Sequence, residues 1–370
     1  MKKSPYLERL SLVRKKLTEH KLDAFWILQP DNRRYLSGFK AADGQLTESS
    51  GSLLISKKKA LLLTGPIYAE EAQKEAGNFQ VITLRKGLLE ELPKILSRLK
   101  INRLGFEPDY LLWGVHRSLM KEVRKMSRPV KLVPVINLVE TMRLVKDKAE
   151  VRKMDVSAKM ISEILESVIG NMKPGQTEKE VAWQIESMAR EAGANGLAFP
   201  SIVASGPNGA LPHAVPGSRR IRSGEPIVID AGVKKDGYCS DITRTVFLGV
   251  PTRRFKVIYK IVREAQLAAL DILKPGVDCE KVDSLARNII KEAGFGDYFG
   301  HGLGHGVELA THEQPRLAPR QDTVLRKGMV VTVEPGIYLP GKGGVRLEET
   351  VIIEMNGARI LTTNNNFYEF

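Results

Sequence analysis

Two signals recur in the second half of the chain at one spacing. Lys173-Pro174-Gly175 leads into a helix-spaced stretch closed by Glu191-Ala192-Gly193, and Lys274-Pro275-Gly276 leads into another closed by Glu292-Ala293-Gly294. From glycine to glycine each stretch covers eighteen residues, and the two units stand 101 residues apart. Pro-Gly interrupts a helix and a glycine takes the left-handed turn that ends one, so each pair of signals brackets a single helix. Thr177 with Glu180 predicts a capping box on the first helix, and Asp278 predicts a cap on the second. Such an echo constrains the architecture strongly: one helix-plus-hairpin unit built twice about an internal pseudo-two-fold axis.

Each unit runs on into an acidic hairpin. In VIDAGVKKDGYCSDITRTVF, residues 228–247, Asp236-Gly237 is a two-residue turn signal that pairs Lys235 with Tyr238. Counting back places Asp230 opposite Thr243 and Asp241 opposite Gly232, so both aspartates share one face as diagonal neighbours. In the second unit, VVTVEPGIYLPGKGGVRLEETVII carries Glu334 and Glu348, an even number of residues apart and able to share a face, although the PGKGG loop leaves that register open. A pseudo-two-fold pair of such hairpins brings four carboxylates together. Four converging anions need cations between them, so the expected partner is metal.

Of six histidines, four fall at 213, 301, 305 and 312, three of them in YFGHGLGHGVELATHEQP, where Gly302, Gly304 and Gly306 let the backbone approach a ligand closely. One histidine with four carboxylates is an oxygen-rich set that suits Mn, Co, Fe or Zn in a two-metal site. Metals spaced ~3.5–4 Å apart activate water and polarise a carbonyl, and amide hydrolysis is the natural use.

Residues 1–136 read as an α/β domain: the apolar runs LDAFWIL, SGSLLIS, ALLLTG, FQVITL, RLGFE and VKLVPV are separated by helix-spaced stretches. A charged helical segment over 138–170 leads into the second domain, 137–370. The net charge of +14 is mostly N-terminal, with 26 Lys and Arg against 15 Asp and Glu in residues 1–140. It is dispersed, without the aromatic interleaving or motifs of a nucleic-acid surface, so no nucleic-acid partner is expected. The start has no apolar signal core and no apolar run is long enough to span a bilayer, so no membrane partner is expected either. Cys239 and Cys279 lack metal-site spacing and fit a reducing, cytoplasmic setting.

With these residues in place, the chain resembles the pita-bread metallopeptidases, in the two-domain branch that contains Xaa-Pro aminopeptidase and Xaa-Pro dipeptidase (prolidase). LDAFWILQPDNRRYLSGF is similar to that branch's N-terminal signature, and FPSIVASGPNGALPHAVP, VIDAG, SDITRTVF, GHGLGHGVELATHEQP, TVEPGIY and GVRLEETVII appear in family order. The resemblance implies a creatinase/prolidase-type α/β N-terminal domain and an α+β pita-bread (creatinase/aminopeptidase-like) catalytic domain. It implies two divalent metal ions, manganese foremost, held by Asp230, Asp241, His305, Glu334 and Glu348, with Asp241 and Glu348 bridging. His213 and His312 would contact substrate and stabilise the tetrahedral intermediate, and Arg346 would orient a ligand carboxylate. The implied substrates are short peptides with proline at the second position, and the implied assembly is a homodimer whose N-terminal domain borders the partner's cleft.

One departure stands out: Glu308 replaces the glycine usual in H-G-V-G-L, which puts an extra side chain near the substrate loop. Aminopeptidase and dipeptidase differ in what meets the C-terminal side of the proline; His301 and the Arg219, Arg220 and Arg222 stretch are candidates, and the residues do not decide between the two. A catalytically silent binding module on the same scaffold is the alternative from another class, but such a relative is expected to lose ligands and none is missing. A methionine aminopeptidase would lack the N-terminal domain, and a metal-free creatinase-like hydrolase is disfavoured by five intact ligand positions.

Overall fold

The computed structural model describes residues 4–45, 47–363 and 366–370. The chain divides into two compact units, Met1–Arg143 and Leu144–Phe370. In the first, strands β1 (Ala24–Ile27), β2 (Ser52–Ser56), β3 (Ala60–Thr64), β4 (Gln80–Thr83), β5 (Arg103–Phe106) and β6 (Lys131–Pro134) form one sheet in the order β4-β3-β2-β1-β5-β6. Each matches an apolar run of the sequence. Helices α1 (Pro5–Glu19), α2 (Pro30–Ser37), α3 (Ala69–Glu75), α4 (Leu88–Arg98), α5 (Trp113–Arg124) and α6 (Glu140–Arg143) accompany it. Pairing is parallel at β1·β5, β5·β6 and β3·β4 and antiparallel at β1·β2 and β2·β3, a mixed α/β sheet. The expected helical segment over 138–170 is broken: α6 stops at Arg143, and α7 (Lys148–Asn171) starts afresh from a capping box of Asp147 and Glu150.

The second unit is the duplicated one. Helices α8 (Glu178–Glu191) and α10 (Cys279–Glu292) have the same length, and α7 and α9 (Arg253–Ile272) precede them across equal gaps. The glycines carry the echo: Gly175 and Gly276 have φ of 93° and 90°, and Gly193 and Gly294 have 79° and 83°. Thr177 forms the predicted capping box with Glu180. Asp278 does not cap: it stands at the N-cap of α10 without a side-chain bond, because the Lys281 N–H is already taken by the Asp278 carbonyl at 3.1 Å.

The strands of this unit are β7 (Gly196–Leu197), β8 (Ile202–Ser205), β9 (Pro226–Ala231), β10 (Val233–Lys235), β11 (Tyr238–Cys239), β12 (Ile242–Phe247), β13 (Gly304–Gly306), β14 (Glu313–Leu317), β15 (Val330–Val333), β16 (Gly336–Leu339), β17 (Gly343–Arg346), β18 (Glu349–Glu354) and β19 (Gly357–Ile360). The first hairpin has the register read from its turn: Lys235 pairs with Tyr238 and Asp230 with Thr243. Asp236 and Gly237 both have positive φ, 49° and 85°, the type I′ geometry that matches strand twist. In the second hairpin Val333 pairs with Glu349 and Gly336 with Arg346, which sets Glu334 across from Glu348. The triplets β8-β9-β12 and β13-β15-β18 correspond, and each packs on its own helix pair through a separate apolar core. Among the described residues no helix is long and apolar enough to cross a membrane.

One buried carboxyl stands apart in the first unit. Glu107 accepts N–H groups of Leu28 (2.6 Å) and Gln29 (2.7 Å) and the Asn32 amide (2.7 Å), which also donates to Glu140. Burial, with the nearby Glu140 charge, pushes Glu107 up from 4.5 to about 7. The native state therefore holds a proton that the unfolded chain has lost between those values. Stability from this group is fully present below pH 4.5 and is lost as pH rises to about 7, a fall of about 3 kcal/mol. We expect exchange protection of β1 and β5 amides to drop over that interval, and Glu107→Gln to flatten the slope; an unchanged slope in the variant would refute the assignment.

Candidate metal centre

Alternation along the two hairpins sets the acids. Asp230 lies in β9 and Asp241 just before β12, Glu334 follows β15, Glu348 precedes β18, and His305 is the middle residue of β13. Close strand contact places His305: a Cβ on Gly304 would come within 2.0 Å of the Thr332 carbonyl, so only glycine lets β13 lie against β15 here. Asp230, Asp241, His305, Glu334 and Glu348 line one cavity of about 460 Å³ together with His213, His301, His312 and Arg346. The fold thus brings together the five expected ligands, the four histidines among them and around them, and Arg346. Oxygens of Asp241 and Glu348 and a ring nitrogen of His305 all lie within 4.8 Å of one another.

Arg346 ties the halves together. Its Nη2 donates to Asp230 Oδ2 at 2.6 Å, its Nε to Thr243 Oγ1 at 3.2 Å, and its Nη1 to Tyr338 Oη at 3.0 Å and the Pro212 carbonyl at 3.1 Å. Thr243 donates onward to Glu348 Oε2 at 2.8 Å, and Thr332 donates to Glu334 Oε1 at 3.0 Å. His301 is fixed by the same chain: its Nδ1 faces the Gly302 carbonyl at 2.7 Å and so carries the hydrogen, leaving Nε2 to accept from Tyr338 at 2.8 Å. Burial lowers the His301 pKa, in keeping with that neutral ring.

His305 is oriented in the same way. Its Nδ1 donates to the Gly306 carbonyl at 3.1 Å, which turns the Nε2 lone pair toward Glu334 Oε1 at 3.2 Å and Asp241 Oδ2 at 3.8 Å. A bare lone pair there would repel two carboxylates, so either a proton on Nε2 or a metal ion lies between them. Asp230 Oδ1 and Glu348 Oε1 are also buried without a hydrogen-bond partner. Nitrogen lone pair, unpartnered carboxylate oxygens and second-layer donors are what a divalent cation site requires, so these residues fit one. Protons are the substitute: burial, then repulsion from Glu348 and Asp230, holds Asp241 well above the carboxylate range, and burial with Glu334 and Asp230 does the same to Glu348. Burial works against ionised Glu334, yet contact with His305 holds it down at about 2; burial would lower His305, and that same contact raises it.

Around the acids the cavity has an apolar wall of Phe199, Pro200, Ile202, Val215 and Ala318. The His312 ring lies 4.4 Å from that of His305, and burial followed by the His305 charge lowers its pKa. The arginine candidates lie elsewhere: Arg219 is paired with Glu225, Arg220 donates to the Gly175 carbonyl, and neither they nor Arg222 line the cavity. Besides the buried Arg346, Arg316 lines the cavity, on β14 opposite His305. Its signal in the sequence was the β13–β14 pairing, which is shifted by a bulge between His305 and Gly306. Thr243 and Thr332 were missed although each shares its strand face with an acid two residues away. Glu308 does not reach the substrate side: it is fully buried and absent from the cavity wall.

Residues 152–355 match metallopeptidase family M24, and residues 9–145 match the Creatinase/Prolidase N-terminal domain. The Xaa-Pro dipeptidase of Pyrococcus furiosus is 37% identical over 355 residues, which cover 96% of this chain and 97% of that protein. The solved Xaa-Pro dipeptidase from Bacillus anthracis superposes with a TM-score of 0.89 at 38% identity, covering 97% of this chain and 98% of that one. An X-Pro aminopeptidase from Thermotoga maritima superposes with a TM-score of 0.87 at 36% identity, covering 96% and 97%.

Cation binding to the native state alone adds to stability by mass action, about 2.7 kcal/mol at a hundred times the dissociation constant. Chelator-treated protein is therefore expected to melt several degrees lower than protein supplied with Mn or Co, and Asp241→Asn to remove most of the difference. Equal melting with and without cation would exclude a native-state site.

Proposed function

Since the chain belongs to metallopeptidase family M24, in the form that carries a Creatinase/Prolidase N-terminal domain, and hydrolyses Xaa-Pro bonds, we propose that it is a two-metal Xaa-Pro dipeptidase. The observation that carries this reading is the convergence of His305 Nε2 with Glu334 (3.2 Å) and Asp241 (3.8 Å), beside the oxygens of Asp230 and Glu348 that have no hydrogen-bond partner among the described residues. Asp230, Asp241, His305, Glu334 and Glu348 would hold two divalent cations, with Asp241 and Glu348 shared between them; among oxygen-rich sites availability decides, and manganese is the first choice. Such ions polarise a scissile carbonyl and bring water to ionisation near neutral pH.

The chain's own groups do the rest. His312, on the cavity wall with its pKa lowered by partial desolvation and by His305, can donate an N–H to the oxygen of the tetrahedral intermediate. His213, exposed, lines the same cavity. The apolar wall of Phe199, Ile202 and Val215 accepts side chains and the proline ring and excludes water from them.

Arg316 favours the dipeptidase. A dipeptide ends in a carboxylate immediately after proline, and an exposed guanidinium on the cavity wall is suited to it, whereas a longer peptide presents a neutral amide there. The manganese-loaded protein should turn over Xaa-Pro dipeptides faster than Xaa-Pro-Yaa tripeptides. Arg316→Ala should raise KM for dipeptides about tenfold, the size of one charge-assisted hydrogen bond, and leave the tripeptide constants unchanged. Faster tripeptide turnover in the parent protein would assign an aminopeptidase; turnover of neither would reject the function.

The same reading makes the enzyme a cytoplasmic homodimer. Two buried thiols, Cys239 and Cys279, suit a reducing compartment, and Val215 on the cavity wall and Leu211 nearby in sequence expose 85% and 60% of their surface, which a second subunit would cover. Light scattering at micromolar concentration should give twice the 41.1 kDa chain mass; a monomer with full activity would refute the dimer.

A further inference from the structure

Glu178 is the first residue of α8 and is fully buried, an unusual place for a carboxylate with no cation paired to it by a direct bond. It accepts five hydrogen bonds. Oε1 takes the Ser205 N–H and Oγ, both at 2.8 Å, Oε2 takes the Gly217 N–H at 3.0 Å, and the Asn208 amide bridges both oxygens at 3.1 Å. The adjoining backbone joins in: Glu178 N–H donates to the Arg219 carbonyl and Lys179 N–H to that of Gly217, both at 3.1 Å. Ser205 and Gly217 are the two ends of one surface loop, and the loop carries His213.

The His213 ring is exposed and makes no hydrogen bond of its own among the described residues, so its place is set by its backbone alone. Ala214 packs on Ile202 and Ala204 and the turn 206–210 lies against β17, while hydrogen bonds tie the backbone to other elements at two points. The neck is closed by Glu178, and the tip is touched by Arg346 through the Pro212 carbonyl. The duplication shows that the acid is not a relic of the repeat, because the equivalent residue 101 positions on is Cys279, a buried thiol. A buried carboxylate spent on four donor groups at the neck of an eleven-residue loop has one evident purpose.

We propose that Glu178 is the positioning residue for His213: it closes the neck of loop 206–216 and so fixes where that imidazole meets substrate. This rests on the reading of the cavity as a peptidase site, but two of the three measurements below do not. Glu178→Gln is the sharp probe. A glutamine amide has one acceptor and one donor end, so in either orientation it sets an N–H against an N–H at one side of the neck. Asp230, Asp241, His305, Glu334 and Glu348 lie outside the loop, and cation binding should not change.

In Glu178→Gln, hydrogen exchange in 206–217 is expected to rise about tenfold or more, the size of one lost bond to a charged group, with 299–306 unchanged. In protein labelled at its six histidines, the His213 ring resonances, assigned by His213→Ala, should shift or broaden while those of His305 and His312 stay. For Xaa-Pro dipeptides kcat should fall about tenfold or more, as expected of a displaced catalytic group, with KM little changed and no further loss from Glu178→Gln in the His213→Ala background. Unchanged exchange in 206–217, exchange rising equally in both segments, or losses that simply add in the double variant would each overturn the proposal. If Glu178→Gln fails to fold, Ser205→Ala removes one neck donor and should give the same local pattern on a smaller scale, and a uniform loosening there overturns the proposal as well. Should the parent protein show no Xaa-Pro turnover, the functional reading fails while exchange and the His213 resonances still decide the role of Glu178.

Discussion

Mutual repulsion among Asp230, Asp241, Glu334 and Glu348 is the constraint around which the second unit is built. Each buried carboxylate costs several kcal/mol, and four in one cavity cost more than the sum because each raises the free energy of ionising the next. The force that holds them is the hairpin register, in which moving a strand by one residue would break a ladder and turn an apolar face outward. Neither half suffices alone. One supplies two aspartates; the other supplies two glutamates, His305, which is aimed into the cluster, and Arg346, which reaches across to Asp230. The pseudo-two-fold arrangement is thus more than a trace of duplication, since only facing hairpins can focus four acids on one point.

Within that symmetric frame the loops differ, and the difference follows from what each offers for binding. In the first half the neck of the His213 loop presents N–H, hydroxyl and amide donors, and a bare carboxylate on α8 collects them. In the second half the stretch before β13 presents two carbonyls and an N–H. An ion pair on α10 serves there: Arg287 donates to the Phe299 and His301 carbonyls at 3.0 and 2.7 Å, and Asp283 accepts the Leu303 N–H at 2.9 Å. Corresponding helices solve the same mechanical task with complementary chemistry.

What could be read from residues alone follows the same physics. The first hairpin was legible because Asp-Gly at a two-residue turn leaves no freedom in the count, and Asp230 and Asp241 then fall on one face. The second was not: three residues, Pro340 to Lys342, separate β16 from β17, and several registers are compatible with such a loop. Asp278 misled because a side chain at the N-cap caps only when the N–H it would serve is still unbonded. Glu178 reads in sequence as an ordinary first-turn acid favoured by the helix dipole, and its partners Ser205, Asn208 and Gly217 are residues that only the fold brings near. Arg316 depends on a bulged pairing, and Glu308 on packing around a position usually occupied by glycine; neither leaves a periodic signal.

Charge ties the site to the substrate it suits. Fully ionised, the four carboxylates with Arg346 amount to a net −3, a field that repels the free carboxylate of a dipeptide. Two divalent cations would turn that sum to +1, and Arg316 on the wall adds to it. Without cations the raised Asp241 and Glu348 carboxyls keep protons and the site offers a C-terminus no net attraction; two divalent ions in their place would give the cavity the positive sign that attracts it. The same reasoning explains why Arg346 is buried among the acids and not left on the surface. It offsets one charge permanently, which lowers the repulsion the hairpins must withstand between one loading and the next.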